Sequence, residues 1–187
     1  MRRAAYTVCV LLAVSWVSDA QPRVNADAAL TADFLQRVAS YVKLHKEAAA
    51  GLPTLKPGTQ SEGIPEYERL LRERIRELRA GAKQGDICTP AISAELRRLI
   101  GMAMRGADEK RIRESLRRAE PVVLSLRVND PFPDDLPLQS TPPTLLLNLP
   151  GLPPEVDYRI AGNSLVLRDA TANMVVDFVP NALGGRK

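Results

Sequence analysis

Histidine and cysteine are almost missing from this chain of 187 residues: there is one His, His45, and of the two Cys, Cys9 falls in an N-terminal apolar run. That leaves Cys88 as the one cysteine of the remaining chain, and a single thiol forms no internal disulfide. One His and one Cys do not make a tetrahedral zinc site of the N/S type. Any Ser-His-Asp or Cys-His mechanism has to run through His45. Its neighbours Tyr41 and Val42 favour a packed histidine over a working one. Phosphate-cradling glycine loops and the dinucleotide fingerprint are absent. Asp130, Asp134 and Asp135 cluster among prolines without the central Gly and terminal Glu of a calcium loop, so they read as turn residues. No cofactor and no metal are expected. Aromatic residues make up 4% of the chain and do not interleave with its basic residues, which argues against a nucleic-acid partner.

What is present begins with a leader. Arg2 and Arg3 precede an apolar stretch, Ala4 to Val17, broken only by Thr7 and Ser15, and Ser18-Asp19-Ala20 places small residues at the −3 and −1 positions before Gln21. This is the layout of a secretory signal peptide. As a helix the stretch covers about 21 Å, short of the roughly 30 Å hydrocarbon core, so cleavage is expected rather than anchoring. Position 21 is Gln, not the Cys of a lipoprotein. No later segment is long and apolar enough to span a bilayer. The expected product is a periplasmic or secreted single domain, residues 21–187, with 24 basic and 21 acidic residues and a net charge of +3. The charge is uneven: residues 21–65, 66–118 and 119–187 carry +1, +5 and −3.

The pattern predicts an α+β fold: a helical part to residue 120, a proline-rich connection over 121–152, and a three-stranded antiparallel meander over 153–180. Phe34, Leu35, Val38, Tyr41, Val42 and His45 recur at helical spacing, with Thr31 as N-cap and Gly51 as stop. A second helix is predicted from Pro65 to about Lys83, with Tyr67, Leu70, Leu71, Ile75, Leu78 and Ala82 inward. Thr89-Pro90 opens a third, closed by Gly106, and Asp108 caps a fourth with Ile112 and Leu116 inward, ended by Pro121. The leucines and Phe132 of the proline-rich connection are too many for a solvated linker, so the segment is expected to wrap the helical half. Beyond it, Val156, Tyr158 and Ile160 alternate with polar residues, Ala161-Gly162-Asn163 supplies a turn, and strands follow over Ser164 to Arg168 and Met174 to Val179.

Gly85-Asp86-Ile87-Cys88-Thr89-Pro90, together with the tail from Leu152 to Pro180 that includes Tyr158-Arg159, Leu165-Val166-Leu167-Arg168-Asp169 and Val176-Asp177-Phe178, resembles a family of small exported bacterial proteins of unknown function. The resemblance covers most of the chain after the leader. It implies a bacterial origin and an exported location, and it brings no reaction, ligand or catalytic residue. Family members often carry Phe where Cys88 stands, which implies an apolar structural role there.

One surface feature points toward a partner. On the second helix Arg69, Arg72, Arg76, Arg79 and Lys83 fall in a stripe about 80° wide, joined by Lys110, Arg113 and Arg117 on the fourth. Such a stripe suits an anionic envelope component or an acidic protein. Solvated helical pairs such as Glu68 with Arg72 are the ordinary alternative. The expectation is therefore a non-enzymatic binding protein of the cell envelope, using the basic face or a sheet edge. The competing expectations are an enzyme built on Cys88 and His45 and association with anionic envelope surfaces through the arginines.

Overall fold

The three- and four-residue apolar spacing becomes four helices among the described residues: α1 (Ala26–Ala49), α2 (Gly63–Leu78), α3 (Pro90–Ala103) and α4 (Glu109–Arg117). Three strands follow, β1 (Val156–Ala161), β2 (Ser164–Asp169) and β3 (Met174–Val179). The computed structural model describes residues 26–53, 63–105, 109–117, 125–133, 145 and 147–184, with backbone alone at 26, 113 and 115–117. The leader, the closing Gly106, the Asp108 cap, the Leu116 side chain, Pro121, Asp134 and Asp135 lie outside them. None of the described helices is long and apolar enough to cross a membrane.

Three helix boundaries, one in α1 and two in α2, differ from expectation. α1 begins at Ala26, so Thr31 lies inside it rather than capping it. Threonine tolerates a helix interior when packing of an apolar face outweighs its modest propensity cost. α2 begins at Gly63 and ends at Leu78, so Arg79, Ala82 and Lys83 belong to the turns that follow. α3 starts as predicted: Thr89 takes an extended conformation and its Oγ1 accepts the Ile92 N–H, with Pro90 at the first helical position.

The sheet is an antiparallel meander in the order β1-β2-β3. Ala161 pairs with Ser164 across a two-residue turn in which Gly162 adopts a positive φ of 58°, the conformation such a hairpin asks of its first turn residue. β3 contains a bulge. Leu167 faces Asp177 while Arg168 faces Val175, so Val176 is the extra residue. The bulge breaks strict alternation, and both Val176 and Asp177 are fully buried.

One face of the sheet, with Ile160, Leu165, Leu167, Met174, Val176 and Val179, packs into the main core. Phe34, Val38, Leu71, Ile75, Ile92, Leu96 and Ile100 meet it from the helices, joined by Ile112, Leu145 and Leu149. Complete burial of each large side chain is worth about 1.5–3 kcal/mol. The opposite face buries Ala161, Val166 and Val175 under Leu126, Phe132 and Phe178. Residues 129–132 run along β3 as a short rail: Asn129 N–H donates to Val175 O, Val175 N–H to Asp130 O and Phe132 N–H to Asn173 O, each at 2.9 Å. The described part of the proline-rich connection thus covers the sheet as well as the helices.

Candidate functional site

The five cations of the predicted stripe are engaged in different ways. Arg69 is exposed and paired on its own helix, with Nη2 2.7 Å from Glu66 and Nη1 2.6 Å from Glu73. Arg72 Nη1 donates to Ala172 O at 2.8 Å, with Glu68 3.7 Å away. Arg76 Nη2 donates to Asn129 O at 2.9 Å. Arg79 donates through Nη1 to Asn129 Oδ1 and through Nη2 to Val176 O, and its guanidinium lies 4.9 Å from the centre of the Tyr41 ring. Lys83 is exposed, and its backbone N–H is held by Asp86 Oδ2. Guanidiniums suit this task because their planar fork reaches several acceptors at once. Arg72, Arg76 and Arg79 fasten α2 and the turn after it to the sheet and to its rail.

Two aspartates were not singled out from the sequence, and both are fully buried. Asp177, re-aimed by the bulge, accepts from four backbone N–H groups: Gly85 and its own neighbour Phe178 on Oδ1, Ile87 and Cys88 on Oδ2, at 2.8–3.0 Å. The turn offers those amides because Gly85 takes a φ of 94°. Cys88 beside it is buried, and Ser93 Oγ donates to its carbonyl. Burial, and after it the charge of Asp177, pushes the Cys88 thiol well above its ordinary value, so it stays protonated. The thiolate is the nucleophilic form of cysteine.

Asp169 closes β2. Its Oδ2 accepts from Tyr41 OH and from His45 Nδ1, each at 2.6 Å, and its Oδ1 accepts from the Thr171 and Ala172 amides. Tyr41 and His45 are one turn apart on α1, so a single carboxylate ties that helix to the β2–β3 turn. Burial opposes the charge on Asp169, but the bonds from His45, Ala172 and Tyr41 outweigh it and hold the carboxyl below its usual range. Burial and the nearby carboxylate push the Tyr41 hydroxyl far up, which keeps it a donor. His45 and Cys88 make no hydrogen bond to each other; the ring is held by Asp169 and the thiol is enclosed near Asp177.

Beside Tyr41 an open groove of about 550 Å³ runs between α1 and the turn after α2. Tyr41, Leu44, Ala82 and Ile87 give it apolar lining, and Arg37, Ser40, Arg79 and Asp86 add polar groups. Leu78 lines it too. It was predicted to face the core, yet it is 47% exposed, because α2 ends there and the chain turns away. Arg37 donates through Nε to Asp33 and through Nη1 to Asp86 O, leaving Nη2 without a protein partner among the described residues. No family model, curated protein or solved structure matches the chain.

One sequence signal could have found Asp177. In Met174-Val175-Val176-Asp177-Phe178-Val179 a lone carboxylate interrupts an apolar strand, and Asp is almost never fully buried unless it is paired. Nothing local marks Tyr41 and His45 as partners of Asp169.

Proposed function

We propose that this is an exported, non-enzymatic binding protein of the bacterial envelope, which holds an acidic, apolar segment of a partner protein in the groove beside α1. The observation that carries this reading is Leu78, half exposed at a concave surface of mixed apolar and polar residues, next to a guanidinium whose Nη2 has no protein partner among the described residues. Concavity, an apolar floor and a few oriented polar groups are the usual makeup of a binding site. Leu78 and Leu44 suit an apolar side chain, and Arg37 Nη2 suits a carboxylate next to it.

Association with anionic surfaces through the arginine stripe is less favoured. Arg72 Nη1 and both terminal nitrogens of Arg79 are bonded inside the protein, and Arg69 is paired with two glutamates. The Cys-His alternative is less favoured because each group is committed elsewhere.

Photo-crosslinking in intact envelopes tests the groove. A benzophenone amino acid at position 78 is expected to form a discrete adduct, whereas one at Met102, equally exposed on α3, is not. Arg37→Glu should abolish the position-78 adduct by placing like charges together. Equal labelling from both positions, or none from position 78, contradicts the reading.

A further inference from the structure

Of the five cations in the predicted α2 stripe, Lys83 alone has a side chain without a protein partner among the described residues. It lines a second depression, of about 340 Å³, beside the turn that joins α2 to α3. Arg97 lines it too; its Nε and Nη2 donate to Pro180 O, and its Nη1 has no protein partner among the described residues. We propose that Lys83 and Arg97 form a subsite for a second carboxylate, so that the partner's segment carries two acidic residues on one side of its apolar residue. The proposal rests on the groove reading above and names the partner's chemistry more closely.

The order of the subsites follows from the geometry. The groove runs along α1 between Leu44 and Arg37, and Arg37 Nη1 donates to Asp86 O at 3.0 Å. Asp86 lines the groove and the second depression alike, and its Oδ2 accepts the Lys83 N–H at 2.9 Å. The two subsites therefore adjoin across one residue. A segment with its apolar side chain against Leu44 and Leu78 meets Arg37 first and, past Asp86, Lys83 with Arg97. In extended form, at about 3.3 Å per residue, its second acid follows the first by about two or three residues.

Charge and rigidity favour the same occupant. Asp86 is the one acid lining the second depression, against two cations. Asp177, the carboxylate behind the turn, has all its acceptor sites filled by four backbone amides. Its hold on Gly85, Ile87 and Cys88 fixes the turn, and Gln84 Nε2 donates to Phe178 O, so this wall is formed before anything binds. The half-buried Arg97 guanidinium is oriented by Pro180 O, whereas the exposed Lys83 ammonium is free to follow the ligand.

Binding to an array of blocked synthetic peptides tests the subsite. Each peptide holds one Leu with a Glu beside it, half of them carry a second Glu two or three residues further on, and the other positions are Gly and Ser. The protein is expected to bind the two-Glu peptides about fivefold more tightly at low salt, a preference that shrinks as salt is added. Lys83→Glu should erase the preference. Lys43→Glu makes the same change of charge at an exposed position of α1 that lines neither depression, and should keep it. Equal binding of the two sets, or a preference that survives Lys83→Glu, overturns the second subsite and leaves the groove reading standing. Absence of binding by every peptide overturns the groove reading and the subsite with it.

Discussion

Asp169 and Asp177 lie on neighbouring strands, both fully buried, and are held in opposite ways. Asp177 is enclosed by backbone amides alone, four of them, supplied by the corner between α2 and α3 and by its own strand. Asp169 receives two amides and two side chains, Tyr41 and His45, both of which have rotatable bonds. Amides fixed by the fold cannot reorient when conditions change; a hydroxyl and an imidazole can. The same residue type therefore makes a permanent staple at one junction and an adjustable one at the other.

The largest expected effect comes from removing the staple. Asp177→Ala leaves the Gly85, Ile87 and Cys88 amides without an acceptor and should cost roughly 3–5 kcal/mol, read as a lower urea midpoint. Asp169→Asn should cost about 2–3 kcal/mol at pH 7. Its deficit is also pH-dependent. The folded-state carboxyl titrates below its unfolded value, so the stabilisation is fully present above about pH 4 and is lost as the pH falls through the lower folded value. Unfolding curves of the two proteins should therefore converge in acid. Cys88→Ser buries a hydroxyl beside Asp177 and should cost about 1–2 kcal/mol in the same assay, with no change in the pH profile. Gly85→Ala adds a Cβ at a φ of 94°, with Cys88 O 3.8 Å away, so backbone strain rather than collision sets a loss of about 1 kcal/mol.

The helices and the meander were legible because their signals are local. Apolar spacing marked the faces of α1 and α3, Thr89-Pro90 marked a helix start, and alternation around Gly162-Asn163 marked a hairpin. The α2 stripe was legible as a row of charge and not as a set of contacts. Whether Arg79 faces water or Val176 O depends on a strand 97 residues further along the chain. The bulge at Val176 was likewise hidden, since alternation alone places Asp177 on the face opposite Val176. The groove escaped notice for a related reason: Leu78 has the spacing of a core residue, and only the point at which α2 ends leaves it exposed. The segments Gly85–Pro90 and Val176–Phe178, read in the sequence as separate parts of one resemblance, meet at Asp177.

The central claim is that the arginine row fastens α2 to the sheet. Its most direct test compares unfolding midpoints of Arg72→Ser and Arg79→Ser with those of Arg69→Ser and Lys83→Ser under one set of conditions. Arg72→Ser and Arg79→Ser should each lose about 1–3 kcal/mol, because Ala172 O, Asn129 Oδ1 and Val176 O lose their donors, while Arg69→Ser and Lys83→Ser leave the midpoint unchanged. Four variants of equal stability, all with weakened binding to anionic vesicles, would contradict the account and restore the row as a binding surface.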